Sequence, residues 1–301
     1  MISSLTDPPS EGEVEVSLFG PGKGESCVVH LGNDDWIIVD SCIDQRSGEN
    51  AALSYLSAIG VDPSAAVRLV VGTHAHDDHI AGIAEVFDAC SESSFVSSSA
   101  LVKEEFASLL EVDAALQLHV RQSSYSEYRR LRAITRDRGI VAGTACWKLA
   151  LEQRALWERP ASSTVSSARV LSVSPSDQAV SRSLIALGKS FPQVNTPRQH
   201  PAVDPNELSV ALWIDAGQHS MLLGADLLKG PAGCGWQAVL ATHRPHRRAS
   251  LFKVPHHGAP NAHHDQVFED FLTGQPVAVL APYRAGKTPR PSSEDVGDSV
   301  R

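Results

Sequence analysis

The stretch VVGTHAHDDHIAG, residues 70–82, sets three histidines and two aspartates within six residues, directly after an apolar run. His74, His76, Asp78 and His79 have the form H-x-H-x-D-H. In extended backbone, residues two apart point to the same side, so His74 and His76 can share one cation. The chain then bends into a helix, which turns Asp78 and His79 towards a second position nearby. Neutral imidazole and carboxylate oxygen suit borderline divalent ions such as zinc, manganese or iron. The competing reading is a polar loop in which Asp77 or Asp78 caps a helix, but capping needs one aspartate and none of the histidines.

The elements that would hold such a cluster are legible on either side of it. VEVSLF, CVVHLG and WIIVD are short, β-branched and separated by turn residues, and VRLVVGT is continuously apolar, as in a buried strand. AALSYLSAIG reads as a helix ending on Gly60, and IAGIAEVFDAC as another. A serine-rich break follows, then a segment with helical spacing. Strand signals resume at ARVLSVS, in a hairpin around Gly217, and in LFKVP and PVAVLAP, with a helix at about 263–272 between the last two. Resumption of the strand pattern predicts one α/β domain over residues 1–301, with a mainly helical insertion at about 97–165 and a polar tail at about 286–301. Two sheets packed face to face with helices outside follow from that order.

Three more strand ends carry polar groups. SMLLGADLL puts Asp226 after an apolar strand, where a carboxylate can bridge two ions. LFKVPHHGAP puts His256 and His257 after another, with Gly258 permitting close backbone approach. WIIVDSC offers Asp40 to orient a ligand through a hydrogen bond. Helix capping by Asp226 and a solvated histidine pair are the plain alternatives. Lys253 either contacts a substrate anion or points to solvent.

Composition narrows the class. The chain has 301 residues, 42% of them hydrophobic, and a net charge of −9, which disfavours binding nucleic acid by bulk attraction. Five cysteines with no C-x-x-C pair read as reduced thiols in a cytoplasmic setting. No apolar run approaches the roughly 18 residues that span a bilayer, and no secretory pattern opens the chain.

THAHDDH, with Asp40, Asp226 and His257 at strand ends, resembles the metallo-β-lactamase superfamily. The resemblance covers most of the chain outside about 97–165 and implies an αββα sandwich with two divalent ions, zinc or manganese, at one edge of its sheets. His74, His76, Asp78, His79, Asp226 and His257 would be the ligands, and Asp226 the bridge. VPHHG resembles the family ending in which the second histidine ligates. More narrowly, GPGKGESCVVHLG, LLGAD and KVPHHGA are similar to motifs of the soluble hydrolase domain of competence-type DNA-uptake proteins, which read approximately G-Q-G-D, T-G-D and H-H-G-S. That similarity implies a phosphodiesterase or nuclease acting on a phosphodiester or nucleic acid through a metal-bound hydroxide, although the membrane part usual in those proteins is not seen in this sequence. Hydrolysis of a carbonyl ester, thioester or lactam on the same ions is the alternative, and a non-catalytic, metal-poor interaction protein is the second alternative.

The family histidine between the first cluster and the bridging aspartate has no clear counterpart. LSVSPSD offers Ser174 and no imidazole, His119 falls in the insertion, and His200 in the loop NTPRQHPAVD, so the first ion's shell is left to Ser174, His200 or water. Asp-Ser-Cys replaces Asp-x-Gly, bringing Cys42 near the site, and Ala259 replaces a serine. A divalent ion can lower the pKa of its water from 15.7 to about 7, so hydrolysis near neutral pH is expected. Asp78 would orient the nucleophile, and His256 would either donate to the leaving group or orient a ligand. Residues 121–138 hold six arginines against Glu127 and Asp137. Arg129, Arg132 and Arg136 share one helical face near Tyr125 and Tyr128. With THRPHRRAS, residues 242–250, they form two basic patches suited either to a phosphate backbone or to solvent.

Overall fold

The computed structural model describes residues 7–20, 24–99, 123–142, 146–190, 204–284 and 289–292. Two six-stranded sheets face each other. The first runs in the order β1 (Glu15–Phe19), β2 (Ser26–His30), β3 (Trp36–Val39), β4 (Val67–Gly72), β5 (Ser94–Ser98) and β6 (Trp147–Ala150). The second runs β12 (Leu272–Val279), β11 (Ala249–Lys253), β10 (His219–Leu223), β9 (Leu212–Ala216), β8 (Ala168–Ser172) and β7 (Arg154–Arg159). In the first sheet β1 to β3 are antiparallel and β3 to β6 parallel. In the second, β7 to β10 are antiparallel and β10 to β12 parallel.

The continuous apolar runs follow from burial of both faces of each central strand. Val29, Ile37, Leu69 and Val71 face Leu212, Ile214, Met221 and Leu223 between the sheets. Their neighbours point outward. Val28, Ile38 and Val70 meet α1 (Ala51–Ala58), α4 (Ile83–Ala89) and α5 (Ser123–Ala142) through Leu56, Phe87, Tyr128 and Leu131. Trp213, Leu222 and Phe252 meet α7 (Gly235–Thr242) and α8 (Asp265–Phe271) through Trp236, Val239, Val267 and Phe271. Three apolar layers thus alternate with two sheets, giving the αββα order. The remaining helices are α2 (Pro63–Ala66), α3 (Asp77–Ile80) and α6 (Asp177–Ser190). No helix among the described residues is long and apolar enough to cross a membrane. All five cysteines are free thiols.

Two boundaries differ from the sequence reading. The segment expected to be a mainly helical insertion contributes α5, but its end forms β6 and β7, the edge strands through which one sheet passes into the other. WKLALEQRALWERP hides them because both are partly exposed, so charged residues interrupt the apolar alternation. Within the expected polar tail, Arg290 returns to pair with Tyr283, N to O at 2.8 Å and O to N at 2.9 Å.

Candidate metal centre

Parallel pairing of β3 with β4 and of β10 with β11 brings four strand C-termini to one end of the sandwich. Each delivers an ionisable group. Asp40 follows β3, residues 74–79 follow β4, Asp226 follows β10, and residues 256–257 follow β11. The backbone is twisted where they turn. Asp40 (φ 61°), Ala225 (φ 46°), His256 (φ 48°) and His257 (φ 52°) are all left-handed without being glycine, a conformation that costs about 1–3 kcal/mol at each position and clusters at functional sites. Glu25 enters from the turn before β2. Gly24 makes that entry possible, because a Cβ there would lie 2.9 Å from the Asp78 carbonyl oxygen and 2.9 Å from the Cys42 Cβ.

The imidazoles are anchored through Nδ1. Asp40 Oδ1 accepts from the Thr73 N–H (2.7 Å), and its Oδ2 accepts from the Thr73 hydroxyl (2.8 Å) and from His79 Nδ1 (2.8 Å). Thr73 Oγ1, having donated to Asp40, accepts from His74 Nδ1 at 3.0 Å. His257 Nδ1 donates to the Ala281 carbonyl at 2.9 Å. Each ring therefore presents Nε2, the arrangement that fixes the tautomer of a ligating histidine. His74 Nε2 lies 3.0 Å from His76 Nδ1. His79 Nε2 stands 3.3 Å from Asp226 Oδ2 and 3.9 Å from Asp78 Oδ2, while His257 Nε2 stands 3.8 Å and 3.7 Å from the same two atoms.

Those atoms converge as metal donors would. His74, His79 and Asp226 form one set within mutual reach of a single ion, and Asp78, His79 and His257 form another. His79 belongs to both. His79 Nε2 and His257 Nε2 are buried with no hydrogen-bond partner, an arrangement that costs free energy until a further group engages them. A nitrogen and carboxylate donor set of this kind suits zinc or a similar divalent ion. The residues present fit the group.

Charge is strongly coupled here. Burial, with the nearby His79, pushes the His74 pKa well down, so its ring stays neutral and keeps a lone pair. Burial also disfavours charge on His79, but Asp226 and Asp40 outweigh it and raise that pKa well above the usual value. His257 is raised as well, its burial outweighed by Asp78, Asp226 and Glu25. Asp78 and Asp226 are held down: burial pushes both up, but His257 and His79 overcome it for Asp78, and His79 and Lys253 for Asp226. A divalent ion would displace protons from His79 and His257 and inherit their carboxylate partners.

The site forms the floor of a cavity of ≈ 800 Å³ lined by His76, Asp78, Asn206, Asp226, His256 and His257. His76 lies beside His74 but in neither convergent set. His256 reaches Asn261 Oδ1 through Nδ1 (3.1 Å) and Asn206 Nδ2 through Nε2 (3.3 Å), so both its nitrogens are engaged at the cavity wall. Lys253 corrects the sequence reading. It is 2% exposed, paired with Glu25, and donates to the Ala225 carbonyl at 3.0 Å, so it touches neither substrate space nor solvent. Ser174 is also ruled out as a ligand, because its hydroxyl donates to Ser209 O (2.6 Å) and accepts from the Ala211 N–H (2.8 Å). Cys42 is buried and belongs to none of the convergent donor sets, so it packs rather than ligates; burial raises its thiol to about 11. His119 and His200 lie outside the described residues.

The sequence reading missed Glu25, Asn206, Tyr283 and Arg290; the last two also line the cavity. For Glu25 a signal existed, since GKGE aligns its acid with that of G-Q-G-D. The basic patches also change. The basic residues of 242–250 precede β11, whereas the site follows it, so that patch lies at the far end of the strand. Its arginines bond carbonyls instead: Arg244 those of α7 and Arg247 that of Gly217. On α5, Tyr128 is buried and Arg138 caps α4 through the Cys90 carbonyl at 3.1 Å. Arg129, Arg132 and Arg136 remain exposed. Arg121 and the Tyr125 side chain lie outside the described part.

Residues 20–111 match the family model described as the metallo-beta-lactamase superfamily. That span holds β2 to β5, Asp40 and residues 74–79, whereas β1 precedes it and Asp226 and His257 lie beyond it. The fold, mixed α/β with two sheets flanked by helices, is of the metallo-β-lactamase type. No curated protein matches the chain. Among solved structures it is similar to MEM-A1, a subclass B3 metallo-beta-lactamase isolated from a soil metagenome library, at 11% identity and a TM-score of 0.42, over 90% of this chain and 91% of that one. It is also similar to the metallo-beta-lactamase fold protein YhfI from Bacillus subtilis (15%, TM-score 0.36, 79% and 68%). Zn(2+)-bound PqqB from Methylobacterium extorquens is a third (11%, TM-score 0.34, 75% and 55%). None of these likenesses bears on what this chain acts on.

Proposed function

We propose that the protein is a metal-dependent hydrolase and that its substrate is a phosphodiester, as in a nuclease or phosphodiesterase. The observation that carries the hydrolase reading is the pair of donor sets sharing His79 on the floor of an open cavity. When bound, two divalent ions, zinc or manganese, would supply Lewis acidity and an acidified water.

The chain's own residues have separable tasks. His74 and Asp226 would hold one ion, with His76 beside them, and Asp78 and His257 the other, while the single free nitrogen of His79, which reaches both sets, would serve one of the two. Asp40 fixes the His79 ring, and Thr73 transmits the same carboxylate to His74. Asp78, held anionic and partly open to the cavity, is placed to orient a water. His256, tied to Asn206 and Asn261, orients the wall above the ions and is a donor to a leaving group only if a substrate displaces one amide.

The phosphodiester choice rests on the similarity of GKGES, LLGAD and KVPHHGA to the competence-type hydrolase motifs, and on the exposed Arg129 and Arg132 of α5, which packs against α3 and α4. To test it, purified protein is loaded with Mn2+ or Zn2+ and assayed on a generic phosphodiester, single- and double-stranded DNA, RNA, a thioester and a lactam. Cleavage of phosphodiesters that chelator abolishes is the expected result. Intact phosphodiesters beside a cleaved thioester or lactam would move the reading to acyl hydrolysis. No bound metal and no activity after reconstitution would leave an interaction role.

A further inference from the structure

Beneath the donor sets, away from the cavity, lies a second convergence of charge. Lys253 Nζ is paired with Glu25 Oε1, donates to the Ala225 carbonyl at 3.0 Å, and stands 3.9 Å from Asp226 Oδ1. Glu25, Asp226 and Lys253 are each less than 5% exposed. Glu25 Oε2 and Asp226 Oδ1 are buried with no hydrogen-bond partner. Glu25, Asp226 and His257 also bring donor atoms within reach of one ion. An ion pair this deep is weak evidence for stability, because an apolar pair of the same volume often does as well. What distinguishes this one is the surplus of oxygen acceptors around a single ammonium.

We propose that the Lys253 ammonium fills a third cation position, built from Glu25, the Ala225 carbonyl and Asp226, and so confines divalent ions to the cavity side of Asp226. The donors facing Nζ are all oxygen, the preference of Mg2+, Ca2+ and Mn2+. By engaging the Oδ1 side of Asp226, the lysine leaves Oδ2 facing His79 and His257. Lys253 is thus a positioning residue that selects which oxygen of Asp226 meets the ions. That consequence rests on the metal-dependent hydrolase reading, whereas the third position itself does not.

The test compares Mn2+ bound per chain, after equilibration and desalting, in four full-length proteins: wild type, Lys253→Ala, Glu25→Gln/Lys253→Ala, and the near-isosteric Glu25→Gln/Lys253→Met. Lys253→Ala is expected to bind one ion more than wild type, to melt at a temperature that rises with Mn2+ concentration, and to show an altered visible spectrum when loaded with cobalt. Both doubly substituted proteins are expected to return to the wild-type ion count. An unchanged count in folded Lys253→Ala overturns the proposal, as does a Lys253→Ala protein that stays unfolded at millimolar Mn2+ while the Gln/Met protein folds. An extra ion that persists in Glu25→Gln/Lys253→Ala also overturns it. If wild type binds no ion, the hydrolase reading fails, but the increment on removing the lysine still decides its role.

Discussion

The two ends of the sandwich treat buried carboxylates in opposite ways. At the end where β3 begins, Asp35 is enclosed by two guanidiniums, Arg68 at 2.5 Å on Oδ1 and Arg159 on Oδ2. Arg159 also donates to the carbonyls of Gly32 (2.7 Å) and Leu31 (2.9 Å). His30, nearby and stacked on Trp36 at 4.6 Å, is kept from protonating chiefly by burial. At the end where β3 finishes, Glu25, Asp40, Asp78 and Asp226 share one lysine and the histidines, and carboxylate oxygens of Glu25 and Asp226 remain unpaired, whereas the unpaired atoms at the first end are ring nitrogens of His30 and Trp36. Charge at the first end closes on itself, whereas the second end is short of cations. The first arrangement ties strands together; the second is built to receive something.

Substituting one carboxylate at each end breaks the comparison most sharply. Asp35→Ala strands two guanidiniums and is expected to cost about 3 kcal/mol of stability, the low end for a buried pair because Arg68 is 33% exposed. Its metal content should not change. Asp40→Ala is expected to do the reverse, weakening metal affinity by about 10–100-fold through the loss of the His79 orientation, with a smaller cost to stability from the unpaired Thr73 N–H. Denaturant titration and elemental analysis of both variants check this. Loss of metal in Asp35→Ala, or full retention in Asp40→Ala, would erase the distinction.

Acidity sharpens it next. His79 and His257 hold protons in the metal-free site because their pKa values are raised, so each proton an ion must displace weakens its affinity about tenfold per pH unit below the folded value. Metal retention should therefore fall as pH drops below the folded values of these rings, by about tenfold per pH unit for each proton displaced. The metal-free fold follows a different course. Stability from these two histidines is complete below their ordinary 6.5 and is lost as pH rises through the folded values, whereas that from Asp78 and Asp226 is present above about 3.8 and lost as pH falls. Isothermal titration with Mn2+ at several pH values decides; an affinity that does not vary with pH would mean that neither ring carries a proton to displace.

Much of the site was legible because its residues sit at the ends of continuously apolar strands, where composition alone announces the turn. Residues 74–79 declare themselves by type and spacing, and Asp226 and His257 by following the runs SMLL and LFKVP. The pairing of Glu25 with Lys253 did not show, since it forms only when the turn before β2 meets the end of β11. Lys253 read as a substrate contact or a solvent-facing residue because a five-residue strand says nothing in sequence about an acid waiting on the inner side. Asn206, Tyr283 and Arg290 were illegible for the same reason: their roles depend on loops that approach the cavity from distant parts of the chain. In the fold, the half-exposed edge strands β6 and β7 were lost among charges, whereas the strands buried on both faces were plain.

A buried histidine outside the site gives the smallest effect and a control for the rest. His243 follows α7, lies 4.8 Å from the Trp213 ring and 5.6 Å from that of Phe271, and has an unpartnered Nε2. Burial lowers its pKa to about 4 against the pull of Asp215, and no second ligand-type group joins it in a donor set among the described residues. It is therefore an apolar ring that resists protonation. Below pH 6.5 the unfolded chain takes up a proton that the folded chain refuses until about 4, so stability drains as pH falls, by about 1 kcal/mol at pH 6. His243→Phe should remove that loss and leave metal retention and its pH dependence as in wild type. Thermal melts of both proteins between pH 7.5 and 5 check it: the gap between their melting temperatures should widen in favour of the variant as pH falls. Parallel curves would mean that His243 is protonated in the fold after all, and that an unpaired imidazole in this protein does not by itself mark an ion site.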